Sequence, residues 1–310
     1  MGISRLSLPP PGKKRVPHMK LLRIGQFSQS PVLAVIQHFN LLPDYQIEIT
    51  NVVSSPAQFE ALMKDELDIA LTSPDNVLLY GTTTNNPLKA ECDLKMLRSI
   101  DRGLKLSLVS NDQVKNVGDL QSATFSIDSI TSGFAILLKK MLLDLKIDIE
   151  NNLNFVQAGS TPKRLTHIME NQSQVTILNA ESKIKADKNN LKTWIDVSEV
   201  VDNYLGTVIC VQGKNERSTL TIDFMNAWKI AVSKIFAFDL TSFKEIFSDP
   251  ESPLANKDYF ELLLNDVHGM TLNNELSVEN LKSLIDIRSA TGAYTPQISQ
   301  IGKLISDQYE

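Results

Sequence analysis

From residue 21 onward, short apolar or alternating runs trade places with longer stretches whose apolar residues recur every three or four positions. This succession predicts strands and amphipathic helices in turn, the pattern of an α/β protein. Leu21–Gln26 reads as a strand, followed by Ser28-Gln29-Ser30-Pro31 and a helix with the apolar stripe Val32, Val35, Ile36 and Phe39. Tyr45–Val53 reads as a second strand, in which Ile47 and Ile49 alternate with Glu48 and Thr50. Ser54-Ser55-Pro56 opens the next helix, with Phe59, Leu62 and Met63 on its stripe. Leu67–Thr72 is a third strand, and Ser73-Pro74 opens a helix with Asp75 and Asn76 in its first turn.

Three strands in succession thus run into a Ser-Pro helix start. A serine oxygen there accepts a bond from a free backbone N–H, and proline at the first helical position sacrifices no hydrogen bond. Capping alone accounts for any one of the three. In an open α/β sheet, however, ligands sit beyond the carboxyl ends of the strands, where helix N-termini present unbonded N–H groups. Three hydroxyl-bearing loops on one such edge describe a polar ligand site.

The pattern then continues in a second series. Lys95–Ile100 and Leu104–Val109 read as strands separated by Asp101-Arg102-Gly103. Ala123–Asp128 is a strand, and Thr131-Ser132-Gly133 opens the helix Phe134–Leu145. Leu153–Val156 is a strand, Gly159-Ser160-Thr161-Pro162 opens a helix containing Arg164, and Val175–Leu178 is a strand ending at Asn179. Thr207–Val211 returns as an extended segment. Beyond Leu220 the chain reads as mostly helical, with Ile222, Met225, Trp228, Val232 and Ile235 on one face, a core stripe.

Composition narrows the function classes. The 310 residues carry 31 Lys+Arg against 36 Asp+Glu, a formal net charge of −5, so the chain lacks the basic surplus that nucleic-acid binding needs. With 42% hydrophobic residues it can build a core, and its length suggests two domains. Cys92 and Cys210 form no C-x-x-C, and His18, His38, His167 and His268 are too scattered for a metal set, so no cofactor or metal is expected. Walker A, G-x-G-x-x-G, H-E-x-x-H and G-x-S-x-G motifs are all missing, so no catalytic residue is assigned. No apolar run approaches the ~18 residues of a membrane span. Residues 1–19, basic and rich in proline, read as a disordered extension without the apolar stretch of an export signal.

The order of Glu66-Leu67-Asp68-Ile69-Ala70-Leu71-Thr72-Ser73-Pro74-Asp75-Asn76, Asp119-Leu120, Ser126-Ile127-Asp128, Ser132-Gly133-Phe134-Ala135 and Gly159-Ser160-Thr161 resembles the solute-binding proteins of ABC importers. The resemblance spans roughly residues 20 to 290 and is to the type II periplasmic-binding fold, in the branch covering nitrate, sulfonate and thiamine-precursor binders. It implies two α/β lobes with mixed sheets, joined by two crossovers and closing on a ligand by hinge motion. Leu104–Val109 is then the outgoing crossover and Thr207–Val211 the return. Lobe one comprises 20–103 with 212–310, and lobe two 104–211. The implied partners are a small polar or zwitterionic ligand and an ABC permease, and the expected state is a monomer. The family is exported; without a signal here, periplasmic and cytoplasmic placement both stay open. Some relatives are enzymes, so a cytoplasmic decarboxylase or cofactor-precursor synthase on the same fold is the alternative. The cysteine-rich motif of the pyrimidine synthases is absent.

On this frame the candidate ligand-binding residues of lobe one are Ser28, Gln29, Ser54, Ser73, Asp75 and Asn76. Lobe two supplies Thr131, Ser132, Gly133, Ser160, Thr161, Arg164 and Asn179. Arg164 and Arg102 could hold a carboxylate, sulfonate or phosphate through the planar guanidinium fork, or make ordinary ion pairs. Asp75, if it faces the cleft, suits an amine or cationic ring nitrogen. His167, three residues after Arg164, is the one histidine placed near the cleft, and Tyr204 could stack on a ring or simply pack.

Overall fold

A computed structural model describes residues 19–150, 153–247 and 255–309; the basic extension before Met19 lies outside the described residues. Two five-stranded mixed sheets organise the chain. In the first, β1 (Lys20–Gln26), β2 (Tyr45–Asn51) and β3 (Ile69–Thr72) run parallel. Each is followed by a helix: α1 (Pro31–His38), α2 (Ser55–Met63) and α3 (Pro74–Thr82). Strand β4 (Leu94–Asp101) closes that sheet's edge and leads into β5 (Ser107–Ser110) of the second sheet.

The second series contains β6 (Thr124–Ile127), α4 (Gly133–Asp144), β7 (Asn154–Gln157), α5 (Thr161–Met169) and β8 (Val175–Leu178). It ends with α6 (Ala180–Lys188), β9 (Lys192–Asp196) and the short α7 (Val197–Val200), after which β10 (Thr207–Gln212) re-enters the first sheet. Among the described residues five α-helices follow: α8 (Thr219–Ala237), α9 (Leu240–Ile246), α10 (Lys257–Leu263), α11 (Val278–Ala290) and α12 (Ile298–Leu304).

The strand orders, β2-β1-β3-β10-β4 and β7-β6-β8-β5-β9, repeat one topology. Three parallel strands are followed by one antiparallel strand, which in each sheet has just arrived from the other. Thr207–Val211, expected as the return crossover, is therefore not a connector. Its residues pair with Leu71 and Ala70 of β3 on one side and with Ser99, Arg98 and Met96 of β4 on the other, so the crossing precedes Thr207.

Side-chain alternation along the central strands decides the packing. Ile69 and Leu71 of β3 and Ile209 and Val211 of β10 face α1 and α8, where they meet Phe224 and Trp228. Ala70, Val208 and Cys210 point to the opposite face, in a core that includes Phe59, Tyr80 and Met96 and continues through Leu106, Phe125 and Leu138 into the second lobe. Each fully buried large apolar side chain contributes about 1.5–3 kcal/mol. Of the stripe expected on α8, Met225, Trp228, Val232 and Ile235 are buried, whereas Ile222 is exposed, because the buried face passes through its neighbour Thr221 and through Phe224 instead.

The two crossovers touch. The Gly206 N–H donates to the Asp101 carbonyl at 2.9 Å, the Leu104 N–H to His268, and the Ala180 N–H to the Leu104 carbonyl. Gly103, Leu104 and Lys105 all have positive φ, at 89°, 50° and 60°. A left-handed conformation costs a non-glycine residue about 1–2 kcal/mol, so the bonds around this segment offset a local strain. A Cβ on Gly206 would lie 2.3 Å from Asp101 Oδ1 and 2.6 Å from the Gly103 backbone.

Gly206→Ala is therefore expected to cost about 1–3 kcal/mol, as overpacking does. Gly302→Ala, where an added Cβ meets nothing closer than 3.8 Å, serves as the control and should hold or raise stability. Urea unfolding of both variants reads the difference; equal midpoints would refute a glycine-dependent contact between the crossovers.

Candidate functional site

A cavity of about 140 Å³ lies between the two lobes, where the carboxyl ends of β1, β3, β4, β6 and β8 and the start of β10 converge. The helix starts around it follow the expected local rule. Ser30 accepts from the Leu33 N–H, Ser54 from Ala57, Ser73 from Asp75, and Ser132 from Ala135. Ser28, Gln29, Ser73 and Asn76 line the cavity from the first lobe, and Ser132, Thr161, Arg164 and Asn179 from the second.

Ser54, Asp75, Thr131, Gly133 and Ser160 lie outside its lining. Ser54 is engaged in its cap, and the Thr131 hydroxyl lies 3.3 Å from that of Ser129. Asp75 does not face the cavity. It is buried with Arg288 of α11, whose Nε lies 3.4 Å from Oδ1. Burial raises its carboxyl and Arg288 pulls it back down. Gly133 is where the lobes meet: its N–H donates to Asn76 Oδ1 at 3.2 Å, and a Cβ there would lie 2.8 Å from Asp75 Cβ. Arg102 pairs with Glu275, Tyr204 packs under Gly103, and neither they nor His167 line the cavity.

Arg164 is 2% exposed, and its three hydrogen bonds go to neutral oxygens: Gly159 O at 2.8 Å, Thr161 Oγ1 at 3.0 Å and Ile177 O at 3.2 Å. Its Nε has no partner among the described residues. Burial lowers its pKa, and the nearby Asp128 carboxylate opposes that shift. A planar, charged donor held in place with no carboxylate bonded directly to it is suited to receive an anionic group.

Sequence reasoning missed the acids. Asp128 accepts the Ser132 hydroxyl at 2.5 Å and lines the cavity. Asp101, at the end of β4, has its carboxyl pKa pushed up to about 6 by burial, despite bonds from the Thr207 side chain and the Gly103 N–H. Glu181, in the first turn of α6, is pushed up to about 7 by burial, with Lys185 pulling weakly downward. Tyr259 of α10 faces the same space. Asp101 had a usable signal, since it ends a strand on the ligand-bearing edge. Tyr259 had none, because its helix reaches the cleft from far along the chain.

No protein-family model and no curated protein sequence matches the chain. Solved structures do. A protein from Bordetella bronchiseptica RB50 is similar over 93% of this chain and 95% of its own, with TM-score 0.74 and 10% identity. The alkanesulfonate-binding protein SsuA from Xanthomonas axonopodis pv. citri, bound to MOPS, covers 92% and 98%, with TM-score 0.70 and 12% identity. A conserved Candida albicans gene product, described as exhibiting the generic periplasmic binding protein structural fold, covers 94% and 96%, with TM-score 0.68 and 13% identity. The fold is thus the two-lobed periplasmic-binding-protein fold, in the type II strand order.

The Glu181 shift sets a pH dependence. Between its ordinary 4.5 and about 7 the folded protein holds a proton that the unfolded chain has released. Stability from this group is therefore lost as pH rises through that window. Glu181→Gln should flatten the slope, making the variant relatively more stable near neutral pH than near pH 4.5. Urea midpoints at both ends of the window measure this, and parallel curves for the two proteins would remove the buried carboxyl as the cause.

Proposed function

We propose that this protein captures a small polar or zwitterionic metabolite between its lobes by hinge closure, as the substrate-binding component of an ABC-type importer. A permease is its partner on this reading, and it carries out no chemistry. The observation that carries the proposal is Arg164, a buried guanidinium bonded only to neutral oxygens on the wall of an inter-lobe cavity. An anionic group entering there replaces water at a preformed cation without reorganising it. The sulfonate-binding neighbour supports the same class of ligand, an anion on a small organic body. Placement outside the cytoplasm belongs to this proposal. The lobes, divided at the touching crossovers, would swing about Gly103 and Gly206, whose small size permits their close approach.

A second reading draws on one observation. Asp101 at about 6 and Glu181 at about 7 share the cavity, and carboxyls so poised serve as acids and bases in enzymes. Incubation of the purified protein with a cell extract separates the two. Mass spectrometry of the retained and supernatant fractions should show one compound held intact and none consumed; consumption with a new product would install the enzyme instead.

Hydrogen bonds to charged groups are worth about 1.5–3 kcal/mol, so loss of the Arg164 fork should weaken retention by roughly tenfold or more. Arg164→Lys is the variant of choice, because it keeps the charge while losing the bidentate geometry. Its melting temperature reports whether the fold survives. Unchanged affinity in a folded variant would take Arg164 out of the site.

A further inference from the structure

Three oxygen-bearing groups remain at the crossover side of the cavity after Arg164 has been given its anion. Asp101 and Glu181 are both lining residues, and both lie near enough to Tyr259 to raise the pKa of its hydroxyl. Glu181 accepts no hydrogen bond from a described residue, and burial outweighs the opposing charge of Lys185. Tyr259 is 2% exposed and lines the cavity beside the two acids. Asp101 has spent part of its capacity on the Gly103 N–H and the Thr207 side chain; a carboxylate offers about four lone-pair directions, so some remain.

The local backbone aims this cluster. Ala180, with φ of 49°, makes a sharp turn between β8 and α6 and donates its N–H to Leu104 O at 2.8 Å. Asn179 Nδ2 donates to Gly103 O at 3.4 Å. The turn therefore rides on the outgoing crossover, and Glu181 follows directly. Arg164 bonds to Ile177 O, four residues before Glu181 (181 − 177), so the backbone between the two contact points spans at most about 13–14 Å. One compact molecule reaches both.

We infer that Asp101, Glu181 and Tyr259 form a subsite for a primary ammonium group, so that the ligand carries an anion for Arg164 and a protonated amine for this trio. The inference rests on solute capture in the same cavity. An ammonium has three N–H donors and no acceptor, and it meets three oxygen groups here. A buried carboxyl without a cation escapes its desolvation cost by keeping its proton; an incoming ammonium removes the need. Glu181 makes the ion pair, because it is the acid that the protein leaves without a partner.

The test uses n-butylammonium and n-butanol as matched probes in saturation-transfer NMR, with the full chain in wild-type, Glu181→Gln, Tyr259→Phe and Gly302→Ala forms. Butylammonium should receive roughly tenfold more transfer than butanol in the wild type, the worth of a charge-assisted hydrogen bond. Glu181→Gln should erase that preference, Tyr259→Phe reduce it, and Gly302→Ala, outside the cavity lining, leave it. Equal transfer to both probes, no transfer to either, or a preference surviving Glu181→Gln overturns the subsite. Retention of an extract compound by the same preparation then shows solute capture standing without it. A protein that neither prefers the ammonium nor retains any compound loses both readings.

Discussion

The architecture depends on how closely two backbone segments approach each other between the sheets. Gly206 donates to the carbonyl of Asp101, and there is no room at Gly206 for even one carbon between Asp101 Oδ1 and the Gly103 backbone. With the segments pressed together, Gly103, Leu104 and Lys105 take the left-handed conformation, which frees the Leu104 carbonyl to accept from Ala180 and its N–H to reach His268. A sterically dictated contact thereby fixes three things: where the chain leaves the first sheet, where the β8–α6 turn sits, and where the Asp101 carboxylate ends up. The acid lies on the cavity wall because the crossover that carries it cannot move outward without breaking those bonds.

Charge is handled differently on the two sides of the cleft. Behind the lining, Asp75 is matched with Arg288, and α11 thereby joins the junction at which Asn76 bonds Gly133 of the opposite lobe. A buried ion pair is a poor source of net stability, since desolvation consumes most of the Coulombic gain. It is a good source of specificity, because separating its members strands a charge in the interior. Inside the lining the opposite holds. Arg164 bonds to neutral oxygens and Glu181 to no described residue, so the cavity wall carries ionisable groups without a directly bonded partner of opposite charge.

Much of this fold was legible in the sequence because its local signals are strong. Ser30, Ser54 and Ser73 cap the helices that their Ser-Pro pairs announced, and eight of the expected site residues reach one cavity because strand ends in an open sheet share an edge. Thr207–Val211 escaped correct placement because a strand and an extended connector have the same alternation; only its partners in β3 and β4 tell them apart. Ile222 was misplaced because it sits one position from the true face, on which the polar Thr221 is the residue buried in that turn. Asp75 looked like a ligand residue because its first-turn position is favourable for any acid, while its true partner, Arg288, is 213 residues away in the chain.

The acids of the cavity expose the limit of motif reading most plainly. Asp101 and Glu181 acquire their chemistry from burial: a surface carboxyl at either position would be an ordinary solvated charge, and nothing adjacent in the sequence says which environment applies. That environment is made by Tyr259, Leu263 and Met270, which come from the helical tail and close the space over the strand ends. The tail is therefore more than a support for the first sheet. It lowers the local dielectric around groups supplied by both lobes, and in a low dielectric an unmatched charge selects strongly for whatever matches it. On the proposed solute-binding function, specificity sits at the meeting of three chain segments that no single stretch of sequence describes, and its sign is set by which charges the interior has paired off and which it has left facing the cavity.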